Sequence, residues 1–121
     1  MKIIIGDDTR EFISAYTRLL KSKIQGIEID EVYESLDLVE RVRGTNYDLV
    51  ISDNDYNDGI ESGGIEAIRK IRGFNQTTPI ILHSGDLTEE KRKSALEAGA
   101  TYAFEKGNVS KLMEIIGGFG K

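Results

Sequence analysis

The sequence has no cysteine and a single histidine among its 121 residues. Without cysteine, a disulfide framework, an iron–sulfur cluster and any thiolate zinc site are excluded. A metal site built from histidines alone is excluded for the same kind of reason. The chemistry that the chain has in abundance is therefore that of its 21 aspartate and glutamate carboxylates.

Basic clusters and long apolar runs are missing as well. The 16 lysine and arginine residues are outnumbered by the acidic ones, the net charge is −5, and we expect no nucleic-acid contact. Apolar runs such as Ile3–Ile5 end after three or four residues. Such runs are too short for a membrane span or a signal peptide. We therefore expect a cytoplasmic protein that does not contact a membrane.

The length of the chain suits one hydrophobic core and hardly two. Hydrophobic residues make up 39% and charged residues 31% of the sequence, which is ordinary for a globular domain. No linker or internal repeat is visible, and the single proline, Pro79, stands just before an apolar run. We expect a single domain over residues 1–121.

Five short apolar segments alternate with longer amphipathic ones. Ile3–Ile5, Leu49–Ile51 and Ile80–Leu82 are continuous aliphatic runs, which are typical of strands covered on both faces. Ile27–Asp30 alternates and predicts a strand at the sheet edge, and Tyr102–Phe104 predicts a fifth strand.

Helical patterns follow each predicted strand. Apolar residues recur at helical spacing from Phe12 to Ile24, from Ile65 to Ile71 and from Val109 to Ile116, where Asn108 is a candidate N-cap. Caps and helix propensity predict two further helices, Ser35–Val42 and Thr88–Ala98. Gly26, Gly44, Gly73 and Gly99 stand where helices are expected to end. This alternation predicts a doubly wound α/β fold with a parallel sheet and helices on both faces.

Polar side chains collect directly after four of the five predicted strands. In an open parallel sheet, ligands bind at the carboxyl ends of the strands. The residues at those ends are Asp7 and Asp8 after the first strand, Asp53 and Asp55 after the third, Ser84, Gly85 and Asp86 after the fourth, and Lys106 after the fifth.

This set of groups predicts a cation site and phosphoryl chemistry. Converging carboxylates repel one another unless a cation lies among them, and oxygen ligands suit Mg²⁺, for which Mn²⁺ could substitute. An aspartate can act as a nucleophile toward phosphorus. Phosphoryl transfer also needs charge neutralisation by a metal and a lysine, and a hydroxyl donor to the remaining oxygens.

In their order and spacing, Asp7-Asp8, Asp53, Ser84 and Lys106 resemble the receiver domain of two-component response regulators. The segments Tyr47–Asp53 and Glu97–Ala100 add to the likeness, which extends over residues 2–117. The resemblance implies a flavodoxin-like (CheY-like) fold with strand order 2-1-3-4-5. It also implies a signalling domain with self-catalysed phosphotransfer and dephosphorylation, and not an enzyme with a separate substrate.

The resemblance further implies a role for each matching carboxylate. Asp53 would accept a phosphoryl group from a phosphohistidine on a sensor histidine kinase or a histidine phosphotransfer protein. Asp8, Asp53 and the backbone carbonyl of Asp55 would bind Mg²⁺, with Asp7 acting through water.

The remaining matching residues would bind the phosphoryl group. Lys106 would pair with Asp53 and then with the phosphoryl oxygens, which Ser84 and Gly85 would also bind. Asp55 and Asp86 occupy positions that tune dephosphorylation in the family. The face formed by the fourth helix, fifth strand and fifth helix would bind a downstream protein.

Four features depart from the family pattern. Tyr56-Asn57 replaces the usual Met-Pro pair, and an insertion is inferred within Asp58–Ser62, where Asp58 and Glu61 are expected to be solvated loop charges. Ala103 occupies the aromatic switch position, and Gly107 replaces a proline that follows the lysine in the family. If the strand register holds, Tyr102 and Phe104 point away from the position of Ala103.

Other functions fit the sequence less well. A receiver-like interaction module that no longer switches by phosphorylation is the first alternative, motivated by these departures. Asp53-Asn54-Asp55 also resembles the nucleophile motif of haloacid-dehalogenase-type phosphatases, although the acidic pair comes last in that family and first here. In a flavin-binding protein of this architecture, Asp7-Asp8 would repel the flavin phosphate. A calcium-binding loop that starts at Asp53 would need glycine at its sixth position and glutamate at its twelfth, and the sequence has neither there.

Simpler interpretations apply to each residue taken alone. Asp7-Asp8 could cap the first helix, Lys106 could be a surface lysine and Ser84 a turn hydroxyl. The single histidine, His83, is expected to be structural or peripheral. The coincidence of these groups at four strand ends favours the functional interpretation.

Overall fold

The computed structural model describes residues 1–118, which form five strands and five helices in strict alternation. The elements are β1 Lys2–Gly6, α1 Arg10–Lys23, β2 Glu28–Val32, α2 Ser35–Gly44, β3 Leu49–Asp53, α3 Gly63–Arg72, β4 Ile80–Ser84, α4 Glu89–Ala98, β5 Tyr102–Glu105 and α5 Val109–Gly117.

All strand pairs are parallel, and the sheet order is β2-β1-β3-β4-β5, as predicted. The register aligns the carboxyl ends of the strands: Gly6 pairs with Ser52, Asp53 with His83, and Ser84 with Glu105. Residues that follow these strand ends are thereby brought to one edge of the sheet.

Strand alternation divides the core into two layers on opposite faces of the sheet. Ile4, Val50 and Leu82 pack with α2, α3 and α4 on one face. Ile5 and Ile51 pack with α1 and α5 on the other. The predicted three-layer architecture, with helices on both faces, is confirmed.

Some element boundaries differ from the predicted ones. The edge strand was predicted over Ile27–Asp30, but β2 runs to Val32, because its pairing with β1 continues to the Gly6–Val32 pair. α1 ends at Lys23 and α2 at Gly44, where extended backbone at Ile24 and Thr45 stops each helix. The predicted end at Gly26 is therefore wrong, although Gly26 has a positive φ in the following turn.

The cap predicted at Asn108 is confirmed, and Thr88, predicted as the first residue of the fourth helix, is the N-cap of α4. The Thr88 hydroxyl accepts a hydrogen bond from Lys91 N at 3.1 Å, and Asn108 Oδ1 accepts one from Lys111 N at 3.2 Å. Gly99 ends α4 in the left-handed region, with φ +119°. These local signals are readable from sequence because they use only residues within one turn of the helix end.

Asp58, in the loop between β3 and α3, was predicted to be a solvated charge, and that prediction is wrong. One of its carboxylate oxygens accepts hydrogen bonds from Ser35 N at 3.1 Å and from Ser35 Oγ at 2.7 Å, and the other accepts from Ile60 N at 3.2 Å. Asp58 thus satisfies a free N–H group at the start of α2 from a different loop. The segment in which the insertion was inferred is anchored to the domain at this point.

The register prediction around Ala103 is confirmed. Ala103 packs against the α2–α3–α4 layer, whereas Phe104 is buried in the opposite layer. Tyr102 is 36% exposed. Neither Tyr102 nor Phe104 therefore places an aromatic ring where the family has its aromatic switch residue.

A glycine is required where α3 begins, directly behind the β3 carboxyl end. A Cβ atom added to Gly64 would lie 1.9 Å from the Asp53 carbonyl oxygen and 2.7 Å from Asn54 Cα. Both atoms belong to the backbone and cannot rotate away. The Gly64 amide also donates to Asn54 O at 2.9 Å, so that α3 is held against the segment that follows Asp53.

We expect Gly64→Ala to lower the free energy of unfolding by about 2–3 kcal/mol, because the backbone must move to admit the methyl group. Gly44→Ala is the matched control, since its Cβ meets open space at the end of α2 and the change should raise stability or leave it unchanged. Urea unfolding of the three proteins measures both effects. Equal stability of Gly64→Ala and the parent chain would contradict the close approach.

Candidate functional site

Three aspartates meet at the carboxyl edge of the sheet. Asp7, Asp8 and Asp53 each offer a carboxylate oxygen, and these oxygens all lie within 4.8 Å of one another. Asp7 is fully buried, Asp53 is 5% exposed and Asp8 is exposed. The sequence-based prediction that these carboxylates converge is thus borne out by the geometry.

Lys106 places its ammonium group among the buried carboxylates. Its Nζ lies 2.6 Å from Asp7 Oδ2 and 3.3 Å from Asp53 Oδ2. The family resemblance implied a pair with Asp53, and the structure adds a shorter one with Asp7. Nζ also lies 4.4 Å from the centre of the Phe12 ring, a cation–π distance.

Each buried carboxylate is oriented by one backbone N–H group. Asp7 Oδ1 accepts from Thr9 N at 2.9 Å, and Asp53 Oδ1 accepts from Asn54 N at 2.8 Å. The second oxygen of each carboxylate therefore faces Lys106. The alternative role of Asp7 as a helix cap applies in part: Asp7 makes a local turn bond to Thr9, which is itself the N-cap of α1.

The shared ammonium group leaves the two aspartates in different electrostatic states. Burial, followed by the neighbouring charge of Asp7, raises the pKa of Asp53 to about 6 against the partial compensation of Lys106. Burial acts in the same direction on Asp7, but contacts with His83 and Lys106 outweigh it and lower the pKa of Asp7 to about 2. His83 and Lys106 together thus keep Asp7 ionised, whereas Asp53 has only Lys106 and the Asn54 amide to oppose its burial.

The residues at the carboxyl end of β4 divide between the site and its surroundings. Ser84 is buried, and its Oγ accepts from Asp86 N at 3.3 Å, while Gly85 is exposed and has open space around its α-carbon. The side chain of Asp86 is 84% exposed and lies 3.3 Å from Lys91 Nζ on α4. Asp86 was expected to gather with the other carboxylates, but its charge is directed to α4 instead.

Asp55 lies at the mouth of the site. It is exposed and lines a surface cavity of about 360 Å³ together with Asp8, Asn57 and Glu61. Asn57 has a positive φ of 54°, in the left-handed region. The loop after β3 therefore forms an acidic rim beside the three clustered aspartates.

His83 was predicted to be structural or peripheral, and the structure supports the first of these. It is fully buried, as a structural role requires, but it is not peripheral: its Nε2 lies 3.6 Å from Asp7 Oδ2. Its ring meets Phe12 edge-on, with centroids 5.3 Å apart. His83 pairs with Asp53 across the sheet, and this strand register is the signal that could have placed His83 beside the site.

Tyr56 occupies the space beneath the site where the family pattern has Met. Its side chain is 2% exposed, and its hydroxyl forms a 2.7 Å hydrogen bond with Ser52 Oγ. A Cβ added to Gly6 would lie 2.2 Å from the Tyr56 hydroxyl oxygen. Tyr56 thus contacts the ends of both β1 and β3. Its buried hydroxyl has the hydrogen-bond partner that a buried tyrosine needs.

The donor set fits a hard divalent cation. Asp7, Asp8 and Asp53 supply only oxygen atoms, within a span that one cation can bridge, and Lys106 neutralises only part of their charge. Exposed Asp8 leaves the site accessible from solvent. Oxygen donors with partial solvent access are the environment that Mg²⁺ prefers in proteins.

Comparison with known proteins agrees with this geometry. The family model of the response regulator receiver domain matches residues 3–117, so the chain belongs to that family. Receiver domains are signalling domains that interact with histidine kinases and downstream partners, and they generally bind Mg²⁺ at an acidic pocket. The acidic cluster of Asp7, Asp8 and Asp53 is the corresponding feature here.

Individual relatives show the same likeness. A sensor kinase/phosphatase for autoinducer 2, LuxQ of Vibrio harveyi, is 30% identical over 110 residues, which is 88% of this chain and 12% of that protein. A LuxR-family response regulator from Aurantimonas sp. SI85-9A1 superimposes with a TM-score of 0.85 at 25% identity, covering 97% of this chain and 82% of that one. A CheY-like receiver domain protein from Methanospirillum hungatei JF-1 has a TM-score of 0.85 at 21% identity, covering 97% and 90%.

The chain thus spans about an eighth of the length of the curated Vibrio harveyi relative. The prediction of a single domain over residues 1–121 is not tested by these comparisons and stays a prediction. Within residues 1–118, no helix has the length and apolar character needed to cross a bilayer. The cytoplasmic location also stays a prediction.

Replacing Asp53 by asparagine should stabilise the metal-free domain. Because the pKa of Asp53 is raised from 3.8 to about 6, the folded state binds its proton more tightly than the unfolded state, so stability is lost as the pH rises from 3.8 to about 6 and the whole loss is present at pH 7. We expect Asp53→Asn to raise the free energy of unfolding by about 1–3 kcal/mol at pH 7 in chelator. The gain should shrink as pH falls from 6 toward 4.

Glu97→Gln on α4 is the matched control, because it removes the same charge from an exposed position and should change stability by less than about 0.5 kcal/mol. Denaturant unfolding at several pH values measures both variants. A destabilised Asp53→Asn protein at neutral pH would show that the carboxylate is not strained by its surroundings.

Proposed function

We propose that this domain accepts a phosphoryl group on Asp53 from a phosphohistidine of a partner protein, with Mg²⁺ as the cofactor. The single observation that carries the proposal is the position of the Asp53 carboxylate, which lies 3.3 Å from Lys106 Nζ within the cluster of three aspartates. A nucleophilic carboxylate, a lysine ammonium group and a hard-cation site are the groups that phosphoryl transfer requires.

The chemistry begins at an oxygen of Asp53. That oxygen attacks phosphorus, an O–P bond forms, and the N–P bond to the donor imidazole breaks. The imidazole leaves with the electron pair and takes up a proton. The raised pKa of Asp53 means that its charged form is poorly stabilised in the metal-free domain, and a bound cation would favour that form.

The clustered aspartates would hold the cation in this reaction. Asp8 and Asp53 would bind Mg²⁺ together with the Asp55 backbone carbonyl, and Asp7 would act through water. Bound Mg²⁺ supplies positive charge that offsets the charge developing on the transferred phosphoryl oxygens. Mn²⁺ could substitute, because the donors are all oxygen atoms.

Lys106 and the β4 residues would bind the transferred group. Lys106 is held by two carboxylates, so its ammonium can exchange the Asp53 contact for a phosphoryl oxygen while it keeps its contact with Asp7. Ser84 ends β4 and Gly85 follows it on the same edge of the sheet, and they would donate hydrogen bonds from the Ser84 hydroxyl and from a backbone amide.

After phosphorylation, a downstream protein would bind the face formed by α4, β5 and α5. Leu96 and Tyr102 are 38% and 36% exposed there and offer apolar contact area to a downstream protein. A sensor histidine kinase or histidine phosphotransfer protein would supply the phosphoryl group. Both partners would be proteins, and we expect no contact with nucleic acid or a membrane.

A second candidate function is an interaction module that does not switch on phosphorylation. The observation that favours it is Ala103, which puts no aromatic side chain between the site and the α4–β5–α5 face. A phosphatase of the haloacid-dehalogenase type is less well supported, since the acidic pair precedes Asp53 in the chain. It would show turnover of small phosphate esters that depends on Asp55.

Incubation with acetyl phosphate and Mg²⁺, followed by intact-mass measurement, tests the proposal. We expect one phosphoryl adduct on the parent chain and none on Asp53→Asn, since the amide is not a nucleophile. Asp37→Asn on α2 is the matched control and should carry the adduct. Absence of an adduct on the parent chain with Mg²⁺ or Mn²⁺ would favour the module that does not switch.

The lifetime of the adduct should depend on the carboxylates near the site. We expect Asp55→Asn to change the rate of phosphoryl loss more than Asp86→Asn, because Asp55 lies beside Asp8 whereas Lys91 neutralises Asp86. The decay of the adduct after removal of the donor measures this order. If neither variant changes the rate, the tuning roles of Asp55 and Asp86 are refuted.

A further inference from the structure

The backbone that carries Lys106 is fixed on both sides by elements distant in sequence. The Lys106 amide donates to Ser84 O at 2.9 Å, which ties it to β4. The next amide, that of Gly107, donates to the Tyr16 hydroxyl oxygen on α1 at 3.3 Å. Consecutive amides are therefore held by the strand on one side and by α1 on the other.

The turn at Gly107 makes the second of these contacts possible. Gly107 has φ +92°, in the region that favours glycine, and an added Cβ would meet open space. Glycine is therefore required by the backbone conformation and not by crowding. Since Gly107, unlike proline, carries an N–H group, the chain can be anchored by a hydrogen bond where the family pattern has a proline.

Tyr16 is well placed to act as a rigid anchor. It is 4% exposed and packs against Phe12, with ring centroids 4.3 Å apart. The same Phe12 ring lies under the Lys106 ammonium at 4.4 Å. Phe12 and Tyr16, which we call the α1 aromatic pair, thus contact both the charged end of Lys106 and the peptide that follows it.

We propose that Tyr16 is a positioning residue for Lys106: its hydroxyl anchors the Gly107 amide and so aims the Lys106 ammonium between Asp7 and Asp53. The effect of Tyr16 on the reaction rests on the proposed phosphotransfer function. The ammonium must lie within hydrogen-bond distance of Asp53 Oδ2 to meet a phosphoryl oxygen there, and its present distance is 3.3 Å. A loosened Gly107 turn lets the ammonium move away from Asp53 toward Asp7.

Tyr16→Phe removes the hydroxyl and keeps the ring. We expect acetyl-phosphate-driven phosphorylation of Asp53 to slow by about three- to tenfold, as for loss of one hydrogen bond that orients a reacting group. Tyr47→Phe is the matched control: it removes the hydroxyl bond of an equally buried tyrosine to Asp30, in the opposite core layer, and should leave the rate unchanged.

A double-mutant cycle separates positioning from general destabilisation. If Tyr16 acts through Lys106, Tyr16→Phe has no further effect on the slow residual phosphorylation of a Lys106→Ala chain. A merely structural role predicts the same fold-loss in both backgrounds and would overturn the proposal. A wild-type rate for the single Tyr16→Phe variant would overturn it as well.

A measurement on the free protein keeps this inference distinct from the proposed function. In NMR spectra, Tyr16→Phe should speed the exchange with water of both the Gly107 amide proton and the Lys106 ammonium protons. If the parent chain takes no phosphoryl group, the proposed function fails while these exchange rates still decide the anchoring role. Unchanged exchange at both groups refutes the anchor.

Discussion

The contact of Lys106 with two buried aspartates is the interaction on which the rest of the site depends. Its ammonium lies 2.6 Å from Asp7 and 3.3 Å from Asp53, and each of those carboxylates also accepts a hydrogen bond from one backbone amide. A buried charge is stable only when it is paired. Burial and then the neighbouring charge of Asp7 raise the pKa of Asp53 to about 6, because the ammonium that Asp53 shares with Asp7 offsets them only in part.

The incomplete neutralisation of the Asp53 carboxylate affects both the stability of the domain and the reactivity proposed for Asp53. Protonation of Asp53 or a bound cation would each relieve the repulsion between Asp7 and Asp53. The parallel strands that bring these groups together are supported by two core layers, so the strain can persist at the sheet edge. An Asp53 carboxylate that is strained in the free domain is suited to changing its partners.

Much of the fold and of the candidate site could be predicted from sequence. Aliphatic runs at Ile3, Leu49 and Ile80 reveal buried parallel strands, and in such a sheet the residues after each strand must meet at one edge. That rule places Asp7, Asp8 and Asp53 together without knowledge of any side-chain conformation. Helix caps at Thr88 and Asn108 were likewise predictable, because their partners lie three residues away.

Contacts between distant residues with no periodic spacing could not be predicted. The bond between Tyr16 and Gly107 joins residues 91 positions apart, and the capping of α2 by Asp58 crosses 23 positions. The choice of Asp86 between the site and Lys91 depends on a side-chain rotamer, which sequence spacing does not determine.

The departures from the family pattern affect the surroundings of the site more than its reacting groups. Tyr56 fills its position with a buried, hydrogen-bonded side chain, and Gly107 offers Tyr16 an amide that proline lacks. Ala103 is different, because it leaves a partly buried position beside the α2–α3–α4 layer without an aromatic group. The candidate site is therefore supported by contacts particular to this chain, whereas the position of Ala103 has no such compensating contact.

A crystal structure of the domain with Mg²⁺ and beryllofluoride, a mimic of the phosphoryl group, tests the central claim most directly. The account predicts beryllium bonded to an Asp53 oxygen, a cation held by Asp8 and Asp53, and Lys106 Nζ in contact with a fluorine while still beside Asp7. A structure in which Asp53 stays unmodified and Lys106 keeps both carboxylate contacts, at beryllofluoride concentrations that saturate an authentic acceptor, would contradict it.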